Sequence, residues 1–240
     1  MVKIRSRRFK ILQSQISVEK MCEPIEAINL LKSGPKAKFS ETFEVHCCLD
    51  LNTKYSDQQL RASVVLPKGT GKRTKIAVIT NEAEVNKIKN FGVDIVGSKD
   101  LVESIANGFL EFDQLLTTPD MMPVIAKVGK ILGPRGLMPS PKSGSVTSDI
   151  YNAIQEFKKG KLEYRTDKSG IVHSIIGKID FTAEDLLNNL IAIKKSIDQN
   201  RPNGAKGKYW KNMYLCTTMS PAIKIDFNKL QELEKNYGQN

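Results

Sequence analysis

At 240 residues with 40% hydrophobic side chains, the chain is long enough to bury a core in two modest domains and has an ordinary globular composition. Lys and Arg number 37 against 26 Asp and Glu, a formal charge of +11 that draws the protein to polyanions, nucleic acid first among them. No apolar run approaches the roughly 20 residues that cross a bilayer, which excludes a spanning segment, and Cys22, Cys47, Cys48 and Cys216 show neither CxxC nor Cys/His ligand spacing, so reduced structural thiols are expected.

Residues 1–10 carry Lys3, Arg5, Arg7, Arg8 and Lys10 with no apolar signal core behind them, and read as a basic arm of the mature protein. The spacing of Ile25, Ile28 and Leu31, widened by Ala27 and Leu30, predicts a helix over 23–31 that Ser33, Gly34 and Pro35 end. In KAKFSETFEVHCCLDL, Phe43, Val45, Cys47, Leu49 and Leu51 alternate with Thr42, Glu44, His46, Cys48 and Asp50, the period of a half-exposed antiparallel strand. Residues 60–66 read as its partner.

The texture changes at Pro67. PKGTGKRT is basic and turn-rich, and it leads into KIAVIT (75–80), a nearly continuous apolar run suited to a strand covered on both faces. Helices over 82–90, 99–106 and 121–128 alternate with strands around 94–96 and at 114–117, the pattern of βαβ units in a small doubly wound domain. GKILGPRGLMPSPKSGS (129–145) packs Gly129, Gly133, Gly136, Gly144, Pro134, Pro139 and Pro141 around Lys130, Arg135 and Lys142. It is expected to be a shaped loop, neither helix nor strand, and is read equally as an anion site or as a plain connector.

A helix over 149–159 follows, then strands at 162–165 and 171–179 joined by a TDKSG turn. Thr182 with Asp185 resembles a capping box before an amphipathic helix of Leu186, Leu187, Leu190, Ile193 and Ile197. The linker RPNGAKGK, a strand over 209–217 and a charged helical tail after Phe227 complete the chain. Antiparallel texture before residue 66 returns after about residue 160, so the fold class expected is α/β, with an α+β domain split by an inserted α/β domain. The boundaries are 1–68 and 160–240 for the split domain and 69–159 for the insert, and the two side-by-side connections make a hinge.

Catalytic and nucleotide motifs fail on inspection. A Walker A loop needs a glycine where Leu66 stands and a hydroxyl where Arg73 stands, and Thr74 replaces the third glycine of a dinucleotide fingerprint. Only His46 and His173 are available for acid–base or metal chemistry, neither at ligand spacing, so no catalytic residue, cofactor or metal is expected. Basic residues cluster instead at Lys36 and Lys38, at Lys158, Lys159, Lys161, Arg165, Lys168 and Lys178, and at Lys206 and Lys208, and all are assigned to the split domain. Phe39 and Met219 can pack on riboses, and the hydroxyls of Thr42, Thr217 and Thr218 can bond 2′-hydroxyls, which favours RNA over DNA. The rival reading is an enzyme or nucleotide-binding protein that uses the inserted domain.

ILGPRGLMPSPKSGSVT (131–147) resembles the signature of the L-one family, the large-subunit ribosomal protein of the mobile stalk, in its bacterial and organellar form. KAKFSETFEVH (36–46), SDQQLRASVVLPKGTGK (56–72), FDQLLTTPDMM (112–122), YRTDKSGIVHSIIGKIDF (164–181) and GAKGKYWKNMYLCTTM (204–219) are similar to family segments in the same order. The resemblance implies a split α+β sandwich domain with an inserted Rossmann-like domain, opening about a hinge. It implies a monomer when free, with no membrane role, that binds large-subunit rRNA near the exit-tRNA site and assists release of deacylated tRNA. Its implied partners are the large ribosomal subunit, its rRNA and exit-site tRNA, and bacterial members also repress their own messenger.

Carried over motif by motif, Lys38, Phe39, Glu41 and Thr42 are expected rRNA contacts, with Lys168, His173 and Lys178 in a second motif and Thr217, Thr218, Met219 and Ser220 in a third. Arg135 and Lys142 are expected as secondary phosphate contacts. The family usually continues Thr-Met with glycine, where this chain has Ser220 and Pro221, and Ala62 also replaces a common glycine. Richness in Lys, Ile and Asn suits an AT-rich genome, and no transit peptide is visible. The expected location is the plastid stroma, with bacterial cytoplasm as the alternative.

Overall fold

The computed structural model describes residues 6–16, 21–35, 37–89 and 91–237; Lys3, Arg5, Lys36 and Asn90, used above, lie outside them. The chain divides into two compact units, Met1–Gly71 with Tyr164–Asn240, and Lys72–Glu163. The first unit opens with α1 (Arg7–Gln15) and α2 (Pro24–Ser33), followed by β1 (Thr42–Leu49) and β2 (Arg61–Val65). The described part of the basic arm is therefore a helix. Ser6 caps it by accepting from the Phe9 N–H, and Leu12 is its buried residue.

In the second unit the apolar run becomes β3 (Ile76–Ile79), whose four residues are all buried. It is followed by α3 (Glu82–Lys89), β4 (Ile95–Gly97), α4 (Lys99–Ala106) and β5 (Gln114–Thr117). The sheet is parallel, in order β4-β3-β5. The continuous hydrophobicity has a simple cause. Ala77 and Ile79 face a cluster with Leu101, Val102 and Ile105 of α4, while Ile76 and Val78 face Ile88 of α3 and residues Ile150, Ala153, Ile154 and Phe157 of the later helix.

Residues 121–128 are not the single helix that the sequence predicts. Pro119–Met121 is a 3-10 turn, α5 is only Met122–Ile125, and Ala126–Val128 is again 3-10. Pro119 and Pro123 lack donors and are tolerated only where a helical turn starts, so the chain restarts at each. The next stretch is not wholly loop either: α6 (Gly129–Leu132) is one helical turn and Pro141–Ser143 one 3-10 turn. Its left-handed glycines, Gly136 and Gly144, turn the chain until Val146 bridges Thr117 beside β5. The loop thereby adds one parallel bridge at the β5 edge of the sheet. Asp149 then caps α7 (Ile150–Lys158) through the Asn152 N–H.

β6 (Lys161–Arg165), β7 (Ile171–Lys178), α8 (Ala183–Gln199), β8 (Trp210–Thr217), β9 (Ile223–Ile225) and α9 (Phe227–Tyr237) follow in order. β1 sits inside an antiparallel sheet of order β7-β1-β8-β9. The expected pairing of 60–66 with β1 is wrong, because both edges of β1 are taken by the eight-residue strands β7 and β8. The five-residue β2 joins β6 in a two-stranded sheet. Phe43, Val45, Cys47 and Leu49 of β1 point into the core, which α2 and α8 cover. Thr42, Glu44, His46 and Cys48 lie half-exposed on the other face. Among the described residues no helix is long and apolar enough to cross a membrane.

Where the chain leaves the first unit, a buried asparagine holds it. Asn189 of α8 accepts from the Lys68 N–H (3.1 Å) and donates to Gly69 O (2.9 Å) and Ile176 O (2.8 Å). Gly71 follows at φ +73°, where a Cβ would come within 2.8 Å of Lys178 Cγ. Asn189→Ala leaves these three partners unmet and is expected to cost about 2–4 kcal/mol in urea unfolding. Neighbouring half-exposed Asn188→Ala is expected to stay within about 0.5 kcal/mol; equal losses would remove the clamp from the account.

Candidate nucleic-acid interface

One end of the antiparallel sheet is organised by a buried carboxylate. Glu41, 3% exposed, accepts from the Ala37 N–H (2.9 Å), the Thr217 hydroxyl (2.7 Å) and the Met219 N–H (3.1 Å). Burial alone would raise its pKa, but the Thr217, Ala37 and Met219 donors and the charge of Arg8 outweigh it and hold Glu41 below its ordinary value. An ionised side chain thus ties the entry of β1 to the turn after β8. Thr42 reinforces the join: its N–H donates to Thr218 Oγ1 (3.0 Å) and its carbonyl accepts the Thr218 N–H (3.1 Å).

The turn itself is closed by Ser220, whose hydroxyl accepts from the Thr217 N–H at 2.8 Å while its own N–H returns to Thr217 O at 3.1 Å. A glycine would lack the first of these bonds. The hydroxyl is therefore engaged within the turn, and Ser220 fixes its geometry.

Around this locked end stand the groups that reach solvent. Phe39 is 54% exposed and Met219 47%, two large apolar side chains in the loops that Glu41 ties together. Lys38 and Thr218 are exposed beside them in sequence, and Lys178, opposite Thr42 in the β1–β7 register, donates to Thr42 Oγ1 at 2.9 Å. Glu41 and Thr217 are buried against each other; they hold the turn while its neighbours face outward.

The second predicted motif is strung along β7. Five residues separate Lys178 from His173, about 16 Å at strand rise, and Lys168 lies beyond in the exposed turn before β7. Asp167 shapes that turn by accepting from the Ser169 and Ile171 N–H groups, each at 2.8 Å, and the Ile171 bond is the main cause of its lowered pKa. Arg135 and Lys142 are exposed in the second unit and belong to neither cluster. Lys158, Lys159 and Lys161, grouped with the split domain's basic residues although the expected boundary at 159/160 leaves the first two in the insert, all fall in the second unit. The cause is α7: its apolar face packs on the parallel sheet, and Lys158 Nζ is bound to Phe91 O (3.0 Å) and Gly92 O (2.8 Å).

The middle of the outer sheet face brings together groups that lie far apart in sequence. Register sets His46 opposite His173, with their Nδ1 atoms 2.8 Å apart, and His173 Nε2 lies 3.4 Å from Asp167 Oδ2. On the other side His46 Nε2 lies 3.2 Å from Cys216 Sγ and 4.0 Å from Glu44 Oε2. Burial, then the charge of His173, lower the pKa of His46 against an opposing pull from Glu44. Burial and the Glu44 charge push the Cys216 thiol up to about 11. Reading these positions together needed the pairing of strands more than 120 residues apart, which alternation alone does not supply.

The depressed pKa of Glu41 has a defined sign. Its stabilisation is fully present above the ordinary value of 4.5 and is lost as pH falls through the lower folded value. Glu41→Gln is expected to lower stability by about 1–3 kcal/mol at pH 7, with the gap from the unaltered protein narrowing as pH is taken from 7 toward 3. A gap that stays constant across that range in denaturant titrations would contradict a charged Glu41.

The Ribosomal protein L1p/L10e family model matches residues 30–221. Large ribosomal subunit protein uL1c of Rhodomonas salina is 56% identical over 227 residues, covering 95% of this chain and 97% of the relative. The uL1c of Guillardia theta is 56% identical over 232 residues, 97% of this chain and 98% of its own. A cyanobacterial relative, large ribosomal subunit protein uL1 of Prochlorococcus marinus, is 53% identical over 229 residues, 95% of this chain and 97% of its own. With agreement over nearly its whole length, the chain belongs to the ribosomal protein L1p/L10e family.

Proposed function

We propose that this protein is a structural component of the large ribosomal subunit whose first unit binds large-subunit rRNA. The family is structural and not enzymatic. The observation that carries the rRNA reading is the locked end of the antiparallel sheet, where a buried ionised Glu41 holds Phe39, Thr218 and Met219 out in solvent beside Lys38 and Lys178. Cations position phosphates, a flat ring and a thioether cover riboses or bases, and a threonine hydroxyl can meet a 2′-hydroxyl, which DNA lacks. Lys168 and His173 extend this footprint along the outer face.

The second unit is the mobile arm in this reading. The crossings at residues 71/72 and 163/164 serve as its hinge, with the outgoing one anchored on Asn189. The site on the ribosome is the mobile stalk near the exit-tRNA position, where the arm assists departure of deacylated tRNA, with Arg135 and Lys142 adding secondary phosphate contacts. Repression of its own messenger follows if that messenger carries an rRNA-like site. The relatives named uL1c favour a plastid stroma over a bacterial cytoplasm.

Filter binding at fixed salt to a stalk-region rRNA fragment tests this reading. Replacing Thr218 and Met219 together by alanine is expected to weaken specific binding roughly tenfold to a hundredfold, two contacts of about 1 kcal/mol or somewhat more, with the thermal transition little changed. Charge reversal of Arg135 and Lys142 together is expected to cost less. No preference for the fragment over an unrelated hairpin of equal length would defeat the proposal.

A further inference from the structure

We propose that Glu44, His46 and Cys216 form a binding site for a zinc-class transition metal on the outer face of the antiparallel sheet, with His173 orienting His46. The strand period brings the donors to one face. Glu44 and His46 are i and i+2 on β1 and so share a face, and the register sets Cys216 of β8 opposite Glu44. Three different donors, a carboxylate oxygen, an imidazole nitrogen and a sulfur, come within 4.8 Å of one another. Side-chain exposures of 25% for His46 and 37% for Glu44 leave an approach from solvent.

The spacing suits a small tetrahedral ion. Zinc bonds of about 2.3 Å to sulfur and 2.0 Å to nitrogen or oxygen set ligand separations of about 3.5 Å for N···S and 3.3 Å for N···O. The distances here are 3.2 Å from His46 Nε2 to Cys216 Sγ and 4.0 Å to Glu44 Oε2, so a rotation of the half-exposed Glu44 side chain completes the triangle. Sulfur and imidazole select zinc-class ions over magnesium or calcium, which take oxygen donors. Three protein ligands leave a fourth position, facing solvent, for water. On binding, the Cys216 S–H proton leaves to solvent and the sulfur lone pair enters the metal bond.

A ligating histidine needs its other nitrogen fixed, and this one has it. At 2.8 Å only one of the two facing Nδ1 atoms carries a proton. Placed on His46, that proton is donated to His173 Nδ1 and leaves His46 Nε2 as a bare lone pair beside Cys216. His173 then carries its proton on Nε2, 3.4 Å from the Asp167 carboxylate. Asp167 is in turn held by the N–H groups of Ser169 and Ile171. Every link points the same way, which is the arrangement that orients metal-bound imidazoles. None of the three ligands is a proposed rRNA contact; only the supporting His173 is shared with that reading, so metal binding by the free protein is tested apart from it.

The test uses the full chain, stripped of metal with chelator and titrated with cobalt(II) as a spectroscopic stand-in for zinc. One equivalent is expected to give a thiolate-to-cobalt charge-transfer band with the visible bands of a four-coordinate ion, and zinc is expected to displace it. Cys216→Ser is expected to abolish the charge-transfer band and His46→Gln to weaken binding more than tenfold. His173→Ala is expected to weaken it roughly tenfold to a hundredfold, as for other groups that support a ligand. Cys22→Ser and Cys48→Ser are expected to leave the spectrum unchanged. Absence of the band in the unaltered protein, its persistence in Cys216→Ser, or its loss in Cys48→Ser would overturn the proposal. Should Cys216→Ser fail to fold, His46→Gln decides: undiminished cobalt affinity in it overturns the site equally.

Discussion

The central strand of the first unit takes both its neighbours from the far part of the chain. β1 lies between β7 and β8, pairing Thr42 with Lys178 on one edge and Phe43 with Thr217 on the other. The first unit therefore has no complete sheet until the chain has travelled through the second unit and returned. Such non-local pairing delays its ordering, because loop closure is met before the contacts that reward it. The second unit faces no such constraint. Its central strand β3 pairs with β4 and β5, both within the next 40 or so residues, and its two apolar clusters close on α3, α4 and α7.

The same constraint produces the candidate interface. Because β1 and β8 run antiparallel, the entry to one and the exit from the other lie side by side, and two loops with separate sequence origins must be joined there. A single carboxylate does this, accepting donors from Ala37, Thr217 and Met219. Its charge is costly to bury, and three directed donors with Arg8 nearby offset the cost. The result is rigid backbone bearing exposed apolar and hydroxyl groups. Preorganised contacts of this kind bind with little further loss of entropy.

Much of this was legible in one sequence wherever the signal is local. The alternation from Phe43 to Leu49 predicts which side chains are buried, the KIAVIT run predicts a strand covered on both faces, and Lys99–Ala106 is the helix its spacing describes. The failures share a cause. Period tells which face is buried but not which strand is the partner, so alternation points 60–66 to its sequence neighbour β1 although it belongs with β6. For the same reason His46 and His173, 127 positions apart, read as two isolated residues although register sets them in contact. Glu41 offered only its place in a family motif; that it is buried and holds a turn 176 residues away follows from the fold alone.

If the Glu41-locked end of the sheet meets RNA, as proposed, its two exposed apolar side chains report on it directly. Hydroxyl-radical labelling of the full chain, free and bound to a stalk-region rRNA fragment, would measure their accessibility residue by residue. Phe39 and Met219 are expected to lose most of their labelling on binding, while Met21, equally exposed on the same unit, keeps its own. Phe39 and Met219 remaining as reactive in the complex as in the free protein would place the RNA elsewhere.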